Sequence, residues 1–399
     1  MVIIKRREAS FINGLKKWAF LYGRRKTGKT FLVKNFVKFD EYYFIKRDRT
    51  IINSKEISYE TFIELLKLNL KNNKTIVIDE FHRLGDGFLD FLHSIGTSGK
   101  LILLSSTLYL SKKLLSSGSP LLGLVAEIPL GLIPLDLTLK EVCNLKYEKK
   151  EAMELAIFCR EPIVIDYIKE GANARELIAN ILIATKHTVP ALIGEIFTEE
   201  DRQISNVYEG ILRAVSVGKK KAGEIANHLF SKKLIQKESS TMIQQYLKNL
   251  IDFGMLKRIF IFNKNEYKYE LISPLIWLYF YSDEKYNYGE EATPEKVKII
   301  MQELMPKFVE SAIREFFSYK HGLTEAIIED KDYDIDGCLL KFKKPEILLE
   351  VKWGKIKESE LHKIEENLNK FDSKRKILFV PDKGKLKSTS LEILDVGDL

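Results

Sequence analysis

Residues 23–30, Gly-Arg-Arg-Lys-Thr-Gly-Lys-Thr, constrain the fold more than any other part of the sequence. The apolar run Ala-Phe-Leu-Tyr precedes them, and a stretch with apolar residues on one helical face follows. Glycines in such a loop let successive backbone N–H groups turn inward around phosphate oxygens at the N-terminus of a helix. The pattern therefore predicts a buried strand, a phosphate-binding loop and a helix, in that order.

The side chains of this loop have separate predicted roles. We expect Lys29 to neutralise the β- and γ-phosphates of a nucleotide and the Thr30 hydroxyl to bind Mg²⁺. Because a turn rich in glycine and lysine can match this motif by chance, the flanking strand and helix are what favour the nucleotide interpretation. The residues predicted to contact the nucleotide are Gly23, Arg24, Arg25, Lys26, Thr27, Gly28, Lys29 and Thr30.

Two later apolar runs end in polar residues. The run Thr-Ile-Val-Ile is followed by Asp79 and Glu80. Asp79 is placed to hold the metal through its water shell, and Glu80 to polarise the water that attacks the γ-phosphate. The run Leu-Ile-Leu-Leu ends in residues 105–107, Ser-Ser-Thr, where a polar side chain is placed to sense the γ-phosphate. An acidic pair after a strand is often only the start of a solvated loop, but together with residues 23–30 these features predict nucleotide hydrolysis.

Length and charge restrict the class of protein. A chain of 399 residues exceeds what one hydrophobic core normally holds, so several domains are expected. Hydrophobic residues at 45% and charged residues at 30% exclude wholesale disorder and a fibrous repeat. The 64 Lys and Arg residues outnumber the 56 Asp and Glu residues, which gives a net charge of +8. This excess favours a polyanionic partner, although a lysine-rich composition alone also produces it.

The sequence predicts a cytoplasmic protein without a membrane partner. Its first residues carry charge where a signal peptide needs an apolar core, and its longest apolar stretch, residues 121–135, is interrupted by Gly, Pro and Glu. Cys143, Cys159 and Cys338 are too far apart for a CxxC pair. We therefore expect neither a disulfide framework nor a zinc knuckle, and a reducing compartment fits best.

Periodicity divides the chain into four regions and a linker. Residues 1–140 alternate uninterrupted apolar runs with amphipathic segments, which is typical of buried parallel strands and their helices. Residues 141–203 show helical periodicity only. Residues 204–281 read as three helices and two strands, and the polar stretch 282–294 is the predicted linker. Residues 295–399 read as a helix, three strands, a helix and two strands.

The third helix of the region 204–281 is a candidate for DNA recognition. Its start at Ser239 or Ser240 suits a helix cap, and one of its faces is apolar. Residues 219–258 contain nine basic and three acidic side chains. The opposite face suits base edges and phosphates if the helix lies in a major groove; the alternative is a winged helix that only packs against the first region, with solvated lysines. The residues predicted to contact nucleic acid are Lys219, Lys220, Lys221, Thr241, Gln244, Gln245 and Lys248.

The last region carries a second group of candidate catalytic residues. Glu310 lies on its first helix, Asp336 follows the start of a strand, and Glu350 and Lys352 end the next long strand. Asp336 and Glu350 could share a divalent ion with support from Glu310, while Lys352 orients a water or stabilises charge on a phosphate. For Glu350 and Lys352 an exposed ion pair is the alternative.

Two basic runs lie in the same region. Residues 341–344 read Lys-Phe-Lys-Lys, and residues 374–376 read Lys-Arg-Lys. They either line a phosphate backbone or are simply solvated.

The segments Tyr-Gly-Arg-Arg-Lys-Thr-Gly-Lys-Thr-Phe-Leu and Ile-Val-Ile-Asp-Glu-Phe resemble the archaeal ATPase family of the AAA+/STAND-like P-loop group. The segment that begins at Tyr208 is similar to the winged helix of this family, and the ending Glu-Val-Lys-Trp resembles its PD-(D/E)xK nuclease-like C-terminal domain (DUF234). The resemblance implies ATP and Mg²⁺ as ligands, Asp79 as a metal ligand, Glu80 as catalytic residue and Ser106 as sensor. It also implies an α/β fold class, with a P-loop NTPase parallel sheet, a helical lid, a winged-helix domain and a small restriction-endonuclease-like domain.

Two segments depart from the family's pattern. Residues 122–124 read Leu-Gly-Leu where relatives usually carry Tyr-Gly-Arg, so the basic residue expected to touch phosphate is missing. Residues 159–162 read Cys-Arg-Glu-Pro where relatives have Gly-Gly-x-Pro near the adenine. Nucleotide binding tolerates such changes better than fast turnover does, so hydrolysis is expected to be slow or to need a partner.

Three hypotheses about function follow. The first is an ATP-dependent DNA-processing protein whose C-terminal domain cuts or grips DNA with Mg²⁺. The second is a nucleotide-dependent switch that acts on a protein partner or in a homo-oligomer, with an inactive nuclease fold. The third is a DNA-binding regulator with a vestigial ATPase.

Overall fold

The computed structural model describes residues 2–96, 98–116, 118–199, 205–288, 293–384 and 386–399, and its first seven strands form one sheet. These strands are β1 (Trp18–Tyr22), β2 (Glu41–Ile45), β3 (Ile51–Ile52), β4 (Glu56–Ile57), β5 (Thr75–Asp79), β6 (Lys100–Ser105) and β7 (Val125–Pro129). Their order is β4-β3-β2-β5-β6-β1-β7. Strands β2, β5, β6, β1 and β7 are parallel, and β3 and β4 extend the sheet antiparallel. Strand β6 therefore separates the strand before the glycine-rich loop from the strand that ends in Asp79.

Helices cover both faces of this sheet. They are α1 (Arg7–Gly14), α2 (Lys29–Phe36), α3 (Tyr59–Lys71), α4 (Asp86–Ile95) and α5 (Tyr109–Leu114). One apolar cluster contains Phe62 and Phe88, and a second, on the other face, contains Ile12 and Val33. Burial on both faces is why the central strands are uninterrupted apolar runs. The predicted α/β class with a parallel sheet is confirmed.

Helices dominate the next part of the chain. The first group is α6 (Leu135–Cys143), α7 (Lys149–Cys159), α8 (Pro162–Ile165), α9 (Ala174–Ala184) and α10 (Thr188–Glu199). The second group is α11 (Asn206–Ser216), α12 (Ala222–Ser231) and α13 (Ser240–Asp252), followed by the hairpin β8 (Leu256–Ile261) and β9 (Glu266–Leu271) and by α14 (Pro274–Tyr286). Three helices and a hairpin are the order that the sequence predicts for residues 204–281.

The C-terminal region adds a second α/β unit. Its elements are α15 (Pro294–His321), β10 (Ala326–Glu329), β11 (Asp334–Ile335), β12 (Gly337–Lys341), β13 (Lys344–Val351), α16 (Glu358–Asn369), β14 (Arg375–Phe379) and β15 (Glu392–Leu394). Four strands thus stand between α15 and α16 where three are predicted. One sheet has the order β12-β13-β14-β15, with β12 antiparallel to β13 and the rest parallel. The additional strand, β10, pairs parallel with β8 in a sheet of order β11-β10-β8-β9.

The regions that follow the first sheet share one core. A single cluster of buried apolar side chains extends from Leu135 through the helices and the β8–β9 hairpin to Val396. Within the predicted linker, α14 continues to Tyr286 and α15 begins at Pro294, while residues 289–292 lie outside the described part.

Among the described residues, no one helix combines the length and apolar composition needed to cross a membrane. Helix α9 and the following helix pass that test only as a pair, bent by 61°.

Candidate functional site

The glycine-rich loop lies between β1 and α2, and both of its glycines are required by the local geometry. A Cβ atom at Gly23 would lie 2.2 Å from the carbonyl oxygen of Leu130 on the neighbouring chain segment. Gly28 has φ +86°, in the left-handed region that favours glycine, and it directly precedes the first residue of α2. The loop thus ends at a helix N-terminus, where backbone N–H groups are free to bind an anion.

Lys29 is fully buried in this loop. Its Nζ donates hydrogen bonds to the carbonyl oxygens of Gly23, at 2.8 Å, and Arg24, at 2.9 Å. Burial lowers the pKa of Lys29 to about 8, against the opposing effect of Glu80 and Asp79. The carbonyls of the loop therefore hold the ammonium group at the place where a phosphate-binding lysine is needed.

Thr30 and Asp79 form the metal-binding half of the predicted site. The Thr30 hydroxyl donates to Asp79 Oδ2 at 2.7 Å, and the Tyr42 hydroxyl donates to the same oxygen at 2.6 Å. Burial raises the pKa of Asp79, while these two hydrogen bonds lower it. The other carboxylate oxygen, Oδ1, is buried and has no hydrogen-bond partner among the described residues. The Thr30 hydroxyl and the unpaired oxygen of Asp79 are hard oxygen donors, and such donors fit Mg²⁺.

Glu80 and Ser106 meet at the ends of the adjacent strands β5 and β6. Glu80 has φ +60°, an uncommon backbone conformation for this residue type. Its Oε2 accepts a hydrogen bond from the Ser106 backbone N–H at 3.1 Å, and its Oε1 accepts one from the Ser106 hydroxyl. His82 Nδ1 lies 3.6 Å from Glu80 Oε2 and 3.1 Å from the Ser105 hydroxyl. The predicted catalytic residue and the predicted sensor are therefore in direct contact.

A cavity of about 750 Å³ opens beside these groups. Its polar part includes several residues that the sequence predicts to bind nucleotide: Arg25, Lys26, Thr27, Gly28, Lys29, Thr30, Glu80 and Ser106. Its apolar part is formed by Ile4, Ile133, Pro162, Ile163 and Ile165. A cavity with a charged end and an apolar end matches a ligand with phosphates at one end and a base at the other.

Arg24 is oriented differently from the prediction. Its guanidinium makes two hydrogen bonds, of 2.7 and 2.8 Å, with the carboxylate of Glu161, and both side chains are buried. The neighbouring Arg160 reaches in the other direction and pairs with Glu315 on α15. Arg160 and Glu161 therefore have a structural role, because their ion pairs connect the glycine-rich loop to α7–α8 and to the C-terminal region. Sequence reasoning missed this pair, and no local signal reveals a contact between such distant positions.

The candidate catalytic residues of the C-terminal region also lie close together. Asp336 occupies the bend between β11 and β12, and its Oδ2 accepts a hydrogen bond of 2.8 Å from the Val351 N–H. The Lys352 Nζ donates to Glu350 Oε1 at 2.6 Å. Burial raises the pKa of Asp336 well above its usual range, with further contributions from Glu310 and Glu350. No three Asp, Glu, His or Cys side chains in the described part of the chain are arranged to hold a metal ion.

Arg314 places a positive charge inside this group. Its side chain is fully buried on α15 and donates to Glu270 Oε2 at 2.5 Å, to the Asp336 carbonyl oxygen at 2.9 Å and to Glu310 Oε1 at 3.3 Å. It also lies 3.3 Å from Glu325 Oε2. Although burial opposes ionisation, Arg314 holds the pKa of Glu270 well below its usual range. Glu310 thus already has a cationic partner supplied by the protein.

The polar face of α13 is accessible to a partner. Its apolar face is buried through Ile243, Leu247 and Leu250, as the helical periodicity predicts. The residues predicted to contact nucleic acid are exposed on the opposite side: Thr241, Gln244, Gln245 and Lys248.

The lysines that precede α12 differ from one another. Lys219 is exposed. Lys220 pairs with Glu270 at 3.2 Å, and Lys221 pairs with Glu266 at 3.3 Å and Glu329 at 3.1 Å. Two of the three predicted phosphate contacts are therefore engaged in ion pairs to the β8–β9 hairpin and to β10.

The part of the chain that contains the glycine-rich loop matches a known family model. The family model described as an AAA domain matches residues 15–137, from just before β1 to the start of α6. Residues 15–137 are thus similar to AAA domains, a similarity that covers the seven-stranded sheet and its helices. A comparison with curated protein sequences gives no match.

Solved structures of other proteins are similar to this chain to different degrees. A Walker-type ATPase of Pyrococcus abyssi is 18% identical, with a TM-score of 0.51 over 70% of this chain and 96% of that one. A signal-transduction ATPase with a tetratricopeptide-repeat sensor from Pyrococcus horikoshii is 17% identical, with a TM-score of 0.31 over 79% of this chain and 51% of that one. The ORC1 protein of Aeropyrum pernix, solved in complex with DNA, is 13% identical, with a TM-score of 0.32 over 73% and 96% of the two chains. At these identities the first of these structures shows a shared fold and nothing more.

Proposed function

We propose that this protein binds ATP with Mg²⁺ in the cavity of its AAA domain and hydrolyses it. The observation that carries the proposal is the convergence of Lys29, Thr30, Asp79, Glu80 and Ser106 on the carboxyl ends of adjacent strands beside one cavity. Such a set combines the cation, the hard oxygen ligands and the carboxylate that phosphoryl transfer needs.

Each residue has a distinct role in this reaction. Lys29 binds phosphate oxygens, and Thr30 and Asp79 hold Mg²⁺, which when bound offsets negative charge on the phosphates. Glu80 accepts a proton from the attacking water while the bond between the γ-phosphorus and the oxygen of the leaving ADP breaks. Ser106 orients the Glu80 carboxylate through the two hydrogen bonds that it donates. The apolar wall formed by Ile133 and its neighbours excludes water from the base.

Turnover and binding measured on the same variants test this assignment. Glu80→Gln should lower the hydrolysis rate by about 10²- to 10⁴-fold, the usual contribution of general base catalysis, with ATP affinity retained. Lys29→Ala should lose ATP affinity itself. The exposed Glu60→Gln is the matched control and should behave as wild type. Unchanged turnover in Glu80→Gln would remove Glu80 from the mechanism.

We further propose that the exposed face of α13 binds duplex DNA. Support comes from the four exposed polar side chains on this face and from exposed Lys219. The internal ion pairs of Lys220 and Lys221 instead favour a structural role for those two lysines. Gln244→Ala and Lys248→Ala should weaken duplex binding, and Lys248→Ala should also reduce its salt dependence. If neither variant changes the affinity, the winged helix serves a protein contact within a larger assembly, or a homo-oligomer.

Metal-dependent DNA cleavage by the C-terminal region is a second candidate function. The proximity of Asp336, Glu350, Lys352 and Glu310 favours it, whereas the buried Arg314 favours the alternative, an inactive nuclease fold in a nucleotide-dependent switch. Plasmid and single-stranded DNA should be incubated with Mg²⁺ or Mn²⁺, with and without ATP, and with wild type, Asp336→Ala and Lys352→Ala. Cleavage by wild type that both variants lose supports the nuclease. Identical behaviour of all three proteins supports the switch.

The cytoplasmic location of the protein stays a prediction from sequence.

A further inference from the structure

The turn between β12 and β13 has bulky residues at positions where tight hairpin turns usually have Asn or Gly. It consists of Phe342 and Lys343, with φ values of +47° and +66°. Tight hairpins with two left-handed residues normally use Asn or Gly at these positions, because a side chain with a Cβ is strained there. A phenylalanine in the left-handed region is a genuine outlier, and backbone strain of this kind is retained mostly where a function requires it.

The strained residue is also the most exposed of the large apolar side chains in the described part of the chain. Phe342 is 92% exposed, whereas the next such residue, Tyr319, is 65% exposed. Within the described residues no aromatic ring is paired with that of Phe342, so this side chain contributes little buried apolar surface to the fold.

Three lysines surround Phe342. Lys341, Lys343 and Lys344 are all exposed, and none has an ion-pair partner among the described residues. Lys341 and Lys344 face each other in the strand register, where like charges repel. The other basic run of this region is used internally, since Lys374 pairs with Glu346 at 2.8 Å. In the second run Arg375 also pairs with Glu392, and Lys376 donates to the side-chain oxygen of Asn369. In the first run no lysine side chain forms a salt bridge or hydrogen bond within the described residues, although Lys341 lies near enough to Glu346 to help lower the pKa of that carboxyl.

We propose that this hairpin tip, residues 341–344, binds single-stranded nucleic acid, with Phe342 stacking on an unpaired base and the lysines contacting the adjacent phosphates. A flat aromatic face between cations is the combination by which proteins hold single strands without reading sequence. A membrane surface fits less well, because Phe342 is the one exposed large apolar side chain of the hairpin and a lipid interface needs a broader apolar area.

The hairpin tip lies at a fixed distance from the carboxylates of the C-terminal region. Asp336 and Glu350 lie at the opposite end of the same two strands, where Gly337 pairs with Leu349. With a rise of about 3.3 Å per residue, the five residues of β12 separate the two ends by roughly 16 Å. The tip would thus anchor a strand at a fixed distance from the carboxylates, whether or not these cleave it. The contact is independent of α13 and of ATP hydrolysis.

Binding of a fluorescein-labelled oligo(dT) to the full-length protein, followed by anisotropy, tests the proposal. Phe342→Ala should weaken binding about tenfold, the usual effect of losing one stacked base, whereas Phe342→Trp should keep the affinity and show quenched tryptophan emission. The matched control is Phe11→Ala, another exposed phenylalanine, on α1. An oligonucleotide with abasic sites should bind wild type and Phe342→Ala equally. Exchanging all three lysines for Gln should lower the salt slope of binding by about 2.

Two further arms separate this role from a structural one and from other partners. Phe342→Asn gives the turn the residue type that its backbone favours, so it should unfold at the same or higher denaturant concentration and yet bind oligo(dT) as weakly as Phe342→Ala. Vesicles of phosphatidylcholine with one-fifth phosphatidylserine should not bind in a Phe342-dependent way. Unchanged oligo(dT) affinity in Phe342→Ala and in the triple Gln variant overturns the proposal, as does vesicle binding that requires Phe342. Loss of duplex binding in Lys248→Ala alone bears on α13 and leaves the hairpin assignment standing.

Discussion

Two groups of acidic residues, one around Asp79 and one around Asp336, both lie at the ends of strands but differ in how their charge is balanced. Asp79 is the last residue of strand β5 and Glu80 follows it, and Glu350 is the penultimate residue of strand β13, beside Asp336. In the first site one buried carboxylate oxygen of Asp79 has no hydrogen-bond partner among the described residues, and the neighbouring Thr30 and Glu80 line a cavity. In the second site Lys352 and Arg314 supply cations from within the chain to Glu350 and Glu310, while burial and these two carboxylates still raise the pKa of Asp336.

The difference shows that an acidic residue at the end of a strand does not by itself define a ligand site. What decides is whether the protein provides its own counter-charge. An uncompensated buried carboxylate needs an external cation, while a compensated one contributes mainly to the fold. Removing a carboxylate from the first site should therefore affect function, whereas removing the buried cation Arg314 from the second site should affect stability.

The largest expected effect is the loss of the buried cation in the second site. Arg314→Met leaves the buried Glu270 with Lys220, 3.2 Å away, as its remaining ion-pair partner, so the free energy of unfolding should fall by about 3 kcal/mol, the lower end of the range for breaking a buried pair. Chemical denaturation measures it. The control is Arg375→Met, which removes a partly exposed pair with Glu392 and should cost less than about 1 kcal/mol. Equal effects in both variants would mean that Arg314 is not a structural charge.

Removing a carboxylate from the first site should impair function without lowering the stability of the fold. Asp79→Asn deletes a buried charge whose pKa is raised by burial, so its free energy of unfolding should equal or exceed that of wild type at pH 7. The enhancement of ATP binding and hydrolysis by Mg²⁺ should fall about 10- to 100-fold. Titrations with ATP in Mg²⁺ and in EDTA measure the second effect. A strongly destabilised Asp79→Asn protein would contradict the comparison.

The ion pair that joins the two halves of the molecule should show in the pH dependence of stability. Glu315 pairs with Arg160 and lies 3.7 Å from Lys257; although burial opposes ionisation, these cations lower its pKa to about 2. Because the folded pKa lies below the unfolded value, the stabilisation is complete above about pH 4.5 and disappears as the pH falls towards 2. Glu315→Gln should therefore lose about 1–2 kcal/mol at pH 7, after allowance for the partial exposure of this side chain.

Urea denaturation of wild type and Glu315→Gln at pH 7, 4.5 and 3 measures this difference. It should narrow steadily below pH 4.5. A gap that is the same at all three values would show that the carboxylate charge of Glu315 does not contribute.

The smallest expected change in stability is that of Lys352→Ala. This lysine is 44% exposed, and its pair with Glu350 should be worth less than about 1 kcal/mol. Thermal unfolding should be within a few degrees of wild type. A well-folded Lys352→Ala protein allows the cleavage assay to be interpreted as chemistry, whereas marked destabilisation would make Lys352 part of the structural network around Arg314.

Much of the first site could be predicted from the sequence because its signals are local. The spacing from Gly23 to Thr30 and the acidic pair after an apolar strand each reside within a few residues. Strand β6 brings Ser106 to Glu80 because parallel strands end at the same edge of the sheet. The fold class follows from the same uninterrupted apolar runs.

The remaining contacts depend on positions far apart in the chain. Arg24 meets Glu161, and Arg314 meets Glu270, only through tertiary packing. Neither residue type nor periodicity identifies such partners, because the residues next to an arginine in sequence do not reveal whether its side chain is buried in an ion pair or exposed to solvent. The pairing of β10 with β8 is unpredictable for the same reason, because parallel neighbours need no sequence proximity.

That pairing of β8 with β10 has a practical consequence. Strand β8 belongs to the hairpin after α13, but its second edge is covered by residues 326–329 near the other end of the chain. A fragment that stops before Ala326 would expose a row of unsatisfied backbone donors and acceptors, which invites intermolecular strand addition and aggregation. Shortened versions of the protein that end after the β8–β9 hairpin should precipitate or form spurious multimers for this reason alone.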